Sequence, residues 1–198
     1  NMLVRFRSVA WVGGSAASLA LSAGAAMALS SGEILLKGTG ASYKSLAEAV
    51  SAARLGETIE VGSGVYSGAL TISKPLIITG VDTGNGKPAI DGGASPTAVT
   101  LSGGPVTLSG FRITSSAAPK RPFSIFAGYA EEACLMLRSG GHVIRDNEVA
   151  GCHFGIYLLR ADDVRIAANK ISGAMWAGVL VRNSRKTVVA DNKVHNNA

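Results

Sequence analysis

Short blocks of alternating apolar and polar residues recur along this chain with a period near 22. With Asn147, Asn169 and Asn192 placed in one column, 22 and 23 residues apart, the flanking positions fall into register. Three residues before each Asn stand Ile144, Ile166 and Val189; two after stand Val149, Ile171 and Val194; four after stand Gly151, Gly173 and Asn196. The segment Leu108 to Ile113 fits the same frame, with Phe111 in the Asn column. A further strand precedes each of these units, giving the aliphatic columns Val99, Leu135, Ile156, Val179 and Leu101, Leu137, Leu158, Val181.

Alternation places one residue of each pair inside and the next outside. A fixed period of this length with Gly and Asn at the corners predicts a β-solenoid, whose coils share one core with their neighbours. The fold class is therefore all-β, a parallel β-helix. A leucine-rich repeat has a similar period, but its Leu-x-x-Leu-x-Leu signature and its helical half are missing. The Asn column is read structurally: an inward Asn at a tight turn bonds backbone groups of its own coil and the Asn above it.

Ahead of the coils, Ser45 and Glu48 stand in capping-box spacing, and Leu46, Ala49, Val50 and Ala53 share one helical face. A short helix is predicted there, covering an end of the solenoid that would otherwise present an open sheet edge. From Phe111 to Asn147 is 36 residues, about 14 more than one coil, so a loop over 115–133 is expected to project. Long loops in compact repeats are as readily functional as they are tolerated insertions.

Composition changes the picture mainly at the N-terminus. The 198 residues are 47% hydrophobic and 16% charged, the balance of a globular chain. Arg5 and Arg7 precede a long uncharged stretch ending in Ala26-Met27-Ala28, the layout of a secretory signal peptide with an A-x-A cleavage site. The alternative is a retained anchor, since Val9 to Leu29 is 21 residues without a charge. The organisation expected is a signal peptide over 1–28, a linker over 29–41 and a β-helix over 42–198 that continues into coils beyond this sequence. The product is expected in the periplasm or secreted, touching membrane only through the export segment. Without Arg5 and Arg7 the net charge falls from +6 to +4, and no Lys/Arg run tracks phosphates, so nucleic acid is not an expected partner. Cys134 and Cys152 would meet an oxidising compartment; spacing leaves open whether they form a disulfide or stay free.

The order of Ser45 to Ala53, Gly56 to Val61, Gly64 to Tyr66, Leu70 to Ile78, Ile90 to Gly93, Val106 to Ile113 and the repeats from Asp146 resembles a known group. It is similar to the NosD-like, carbohydrate-binding and sugar-hydrolase (CASH) class of pectin-lyase-like β-helices. That resemblance implies a right-handed solenoid with a short N-terminal capping helix. It also implies one of three roles: polysaccharide binding, catalysis by a lyase, epimerase or hydrolase, or copper delivery as an accessory factor. Lyase-like catalysis would need clustered carboxylates for calcium with a basic neighbour. Here the outward column beside the Asn ladder is Arg112, Glu148, Lys170 and Lys193, while Asp162 and Asp163 share a turn opposite Asn183 and Ser184. No catalytic constellation is found, and an enzyme would need its active site in further coils.

Two sets of candidate residues remain. Tyr157, Trp176 and Arg182 are read as outward, able to stack on sugars or bind acidic groups, and the basic column would favour an acidic polysaccharide. The Asn register also sets Cys152 beside Ala174 and His153 beside Met175 on consecutive coils. Thiol, imidazole and thioether at one corner would suit copper. His142, in the column of Val164 and Thr187, has no assigned role.

Overall fold

The computed structural model describes residues 28–117 and 132–197. Residues 1–27 of the expected signal peptide and 118–131 of the expected loop lie outside the described residues. The described chain winds as a solenoid of three parallel sheets. An entry segment contributes β1 (Ile34–Leu36), β2 (Ala41–Tyr43), α1 (Leu46–Ala52), β3 (Thr58–Val61) and β4 (Val65–Ser67). Five coils follow, each visiting the sheets in the same order: β5 (Leu70–Ile72), β6 (Leu76–Gly80) and β7 (Ala89–Asp91); β8 (Val99–Leu101), β9 (Val106–Ser109) and β10 (Arg112–Thr114); β11 (Ala133–Leu137), β12 (Val143–Arg145) and β13 (Glu148–Ala150); β14 (Phe154–Leu159), β15 (Arg165–Ala167) and β16 (Lys170–Ser172); β17 (Ala177–Arg182), β18 (Val188–Ala190) and β19 (Lys193–His195).

The middle strands of the coils form sheet A, in the order β18-β15-β12-β9-β6-β3-β1-β2. The last strands form sheet B (β19-β16-β13-β10-β7-β4), and the first strands form sheet C (β17-β14-β11-β8-β5). Every pairing between coils is parallel and in the register read from the sequence: Ile144 opposite Ile166 and Leu108, Val149 opposite Ile171, and Leu135 opposite Val99 and Ile156. These columns are buried and merge into one core running the length of the solenoid. In the last coil these columns end in Val179, which packs against the core, and in Val189 and Val194, which are exposed, as is Val181 above Leu158.

The entry segment caps the other end. Ser45 Oγ accepts a hydrogen bond from the Glu48 N–H at 3.2 Å, and Leu46, Ala49 and Val50 of α1 turn into the core. Residues 29–41, expected as a linker, instead supply β1 and the first residue of β2. β1 runs antiparallel to β3, with Ile34 opposite Val61 and Leu36 opposite Ile59. Ile34 and Leu36 are buried, so this strand covers the edge that sheet A would otherwise leave open.

The Asn column forms a continuous ladder at the corner between sheets A and B. Asn169 Oδ1 accepts from Asn147 N at 3.0 Å and from Asn147 Nδ2 at 3.1 Å, and its own Nδ2 donates to Ile144 O at 2.9 Å and Asn192 Oδ1 at 2.9 Å. Asn192 Oδ1 accepts from Asn169 N at 2.9 Å, repeating the pattern one coil on. Each Asn thus supplies an acceptor for the buried N–H of the preceding coil, a donor that would otherwise be costly to leave unpaired. Asn147 does this for Phe111, whose N–H reaches its Oδ1 at 3.1 Å. Arg112 pairs with Ala89, which puts Phe111 over Pro88. Proline has no N–H to satisfy, so the position above it needs no acceptor and takes an apolar ring. The ladder begins where the first donor appears.

The residue before each rung is left-handed: Gly110 at φ 82°, Asp146 at 57°, Ala168 at 56° and Asp191 at 56°. At Gly110 a Cβ would also collide with the Gly80 carbonyl, so glycine is required there on two grounds.

Candidate functional site

The three outer faces differ in chemistry. On sheet C, the outward column Thr71, Thr100, Met136, Tyr157, Leu180 turns apolar along the solenoid, with Ala133, Phe154 and Ala177 in the next column. Met136, Tyr157, Phe154 and Ala133 form a buried cluster separate from the core, with the Phe154 and Tyr157 rings 5.5 Å apart and tilted. Sheet A carries a mixture, with Thr107, Val143, Arg165 and Val188 in one outward column. Sheet B carries the charge.

On sheet B the outward column is Arg112, Glu148, Lys170 and Lys193 in direct register, as read from the sequence. Arg112, Lys170 and Lys193 are exposed. Strands in adjacent coils lie about 4.8 Å apart, so the column is a row of charges stepping along the solenoid axis. Lys87, from the turn between β6 and β7, reaches across this row: its Nζ donates to Asp146 O at 2.8 Å and lies 3.9 Å from Glu148 Oε1. That turn is shaped by Asp82, whose Oδ1 accepts from Gly84 N and Gly86 N, each at 2.9 Å. The turn rises beside the sheet and encloses a depression of about 440 Å³ lined by Asp82, Asn85, Gly86, Lys87, Arg112 and Glu148. Cations, carboxylates and an amide converge there, the donors and acceptors that hydroxylated, charged ligands require.

The aromatic set is placed differently from its sequence reading. Tyr157 does point away from the core, yet it is only 1% exposed, within the buried cluster it forms with Ala133, Met136 and Phe154. Its hydroxyl accepts from Arg182 Nη1 at 3.3 Å, so two of the three residues are engaged with each other. Trp176, at the corner before β17, is 42% exposed.

The thiol, imidazole and thioether are neighbours in backbone but not in side chain. Met175 N donates to Cys152 O and Trp176 N to His153 O, both at 3.0 Å, as the register requires. Cys152, however, turns inward and forms a disulfide with Cys134, the two Cα atoms 5.5 Å apart. A disulfide sulfur offers no thiolate to a metal. His153 Nδ1 lies 2.9 Å from Glu132 Oε2 in a nearly buried pair, and Met175 is 52% exposed. The three donors therefore do not converge on a copper ion, and among the described residues no cluster of three His, Cys, Asp or Glu is present.

His142 is fully buried. Its Nδ1 accepts from Val106 N at 3.1 Å, and its Nε2 lies 3.0 Å from Ser139 Oγ, so the neutral ring carries its proton on Nε2. Burial lowers its pKa to about 4.

A family model described as "Right handed beta helix region" matches residues 97–198. The chain belongs to this right-handed β-helix family. The match begins just before β8 and takes in the Asn ladder and all of the charged column. Among solved structures, this β-helix is similar to a pectin methylesterase variant in complex with a hexasaccharide, at 12% identity and a TM-score of 0.49, over 78% of this chain and 64% of that one. The chain thus spans under two thirds of that enzyme's length. No curated protein sequence matches it.

Proposed function

We propose that this β-helix is an exported module that binds an acidic polysaccharide along the outer face of sheet B. The observation that carries the reading is the column Arg112, Glu148, Lys170 and Lys193, three cations to one carboxylate on a flat face with a polar depression at one end. A single exposed ion pair is worth only about 0–1 kcal/mol. A linear polymer engages several at once, and the effective concentration of each following group multiplies the gain. The resemblance to carbohydrate-binding β-helices supports the same ligand class. The Cys134–Cys152 disulfide supports export, because such bonds persist in oxidising compartments. Sheet C is a weaker candidate, since the Tyr157 ring is enclosed and its hydroxyl is taken by Arg182.

The test is a titration of the protein with polygalacturonate and, in parallel, with neutral dextran at low and moderate salt. Polygalacturonate is expected to bind, with affinity falling as salt rises, and dextran is expected not to. Replacing Arg112, Lys170 and Lys193 together by Ala should weaken polygalacturonate binding at least about tenfold. Retained affinity in that variant would overturn the assignment to this face.

A further inference from the structure

We infer that the sheet B face selects acidic polysaccharides in which charged and uncharged sugars alternate, and that Glu148 sets this preference; the inference rests on the proposed function above. Read along the solenoid axis, the column has the sign order positive, negative, positive, positive, with Arg112, Glu148, Lys170 and Lys193 in consecutive coils. Arg112 and Lys170 are two coils apart, about 10 Å at the strand spacing of a sheet. A sugar in an extended chain advances by roughly one coil. A polymer charged on every sugar therefore sets a carboxylate against Glu148 whenever its neighbours meet Arg112 and Lys170, and that repulsion offsets the contact its next carboxylate gains at Lys193. A polymer charged on alternate sugars meets Arg112 and Lys170 with its carboxylates and offers Glu148 hydroxyl groups, from which a carboxylate accepts charge-assisted hydrogen bonds.

The surroundings of Glu148 keep it available for this task. Its side chain is 43% exposed, and Lys87 approaches only to 3.9 Å while committing its Nζ to the Asp146 carbonyl at 2.8 Å. Lys87 thus offsets part of the negative charge and leaves the carboxylate open to a ligand. Among the described residues, Arg112, Lys170 and Lys193 form no ion pair, so the cations on either side are free to take the polymer's carboxylates. Glu148 and Arg112 both line the depression beside the β6–β7 turn, together with Asn85, whose Nδ2 donates to Ser31 Oγ at 2.9 Å.

The experiment compares hyaluronan, which alternates glucuronate with N-acetylglucosamine, against polygalacturonate, charged on every sugar. Affinities per uronate are measured on the intact protein, on Glu148→Gln and on Lys87→Gln. The unaltered protein is expected to favour hyaluronan about fivefold; Glu148→Gln should close the gap to under about twofold by strengthening polygalacturonate, and Lys87→Gln should widen it. Equal affinity for the two polymers, or a gap that survives Glu148→Gln, would overturn the selectivity while leaving the proposed function standing. Failure to bind either polymer would overturn both. Glu148→Gln is isosteric on an outer face, and an unchanged melting profile checks that the fold is intact.

Discussion

Replacing Asn169 by Ala removes the middle rung of the Asn ladder and leaves its partners in place. Three backbone groups lose their side-chain partner, the Asn147 N–H at 3.0 Å, the Ile144 carbonyl at 2.9 Å and the Ala167 carbonyl at 3.1 Å, and the side-chain amides of Asn147 and Asn192 each lose one bond. Asn147 Nδ2 keeps its bond to Leu108 O at 3.0 Å, so the rung below is loosened rather than lost. Each buried polar group left unpaired costs about 1–3 kcal/mol, and the carbonyls have second lone pairs in the sheet, so the N–H dominates. The expected loss is about 2–4 kcal/mol, read as a lower urea midpoint by circular dichroism. The loss should also be local: hydrogen exchange at Asn147 N–H should accelerate by at least about a hundredfold, at 1.4 kcal/mol per tenfold. Asn192→Ala, at a part-exposed rung, should cost less. A loss below about 1 kcal/mol at Asn169, with exchange at Asn147 unaltered, would refute the view that the ladder satisfies the corner backbone.

Three further outcomes follow from the same geometry. Ala168 holds a left-handed conformation at φ 56° with no side-chain group to compensate, so Ala168→Gly should raise stability by about 1 kcal/mol in urea melts; a decrease would contradict the strain assigned there. The Cys134–Cys152 bond closes 18 residues of the third coil, so replacing both by Ala should cost about 3 kcal/mol, and dithiothreitol should lower the unaltered protein to the same level while leaving the variant alone. His142 has its folded pKa lowered to about 4 from 6.5, so between those values the unfolded chain binds a proton that the folded chain refuses. Stability should therefore rise with pH through that window and be lost as pH falls, by at most about 3 kcal/mol; a urea midpoint that is flat from pH 7 to pH 4, or a slope that persists in His142→Asn, would contradict the buried neutral ring.

The solenoid was legible in the sequence because one physical requirement repeats: each coil must return an aliphatic residue to the same column and a polar acceptor to the same corner. Asn147, Asn169 and Asn192 announce the register by themselves, and Ser45 with Glu48 announces the capping helix. β1 was hidden because three residues, Ile34-Leu35-Leu36, flanked by Gly32 and Gly38, are too short to display alternation; their burial comes from pairing with β3, distant in sequence. Tyr157 shows a different limit. Alternation gave its direction correctly, but whether an outward side chain is exposed depends on its neighbours across strands, and here Met136 and Leu180 flank it. Cys152 shows a third, since spacing placed it beside Ala174 but could not say that its sulfur turns inward to Cys134 rather than outward to His153. The charged column on sheet B was readable in full, because outward positions in a fixed register need no tertiary information.

The most direct measurement of where ligand binds is an amide chemical-shift map of the labelled protein on addition of polygalacturonate. Perturbations concentrated at Arg112, Glu148, Lys170 and Lys193, with the turn carrying Asn85 and Lys87, are the expected result. Perturbations centred instead on Met136, Tyr157 and Trp176, with sheet B unmoved, would contradict the assignment of the binding face.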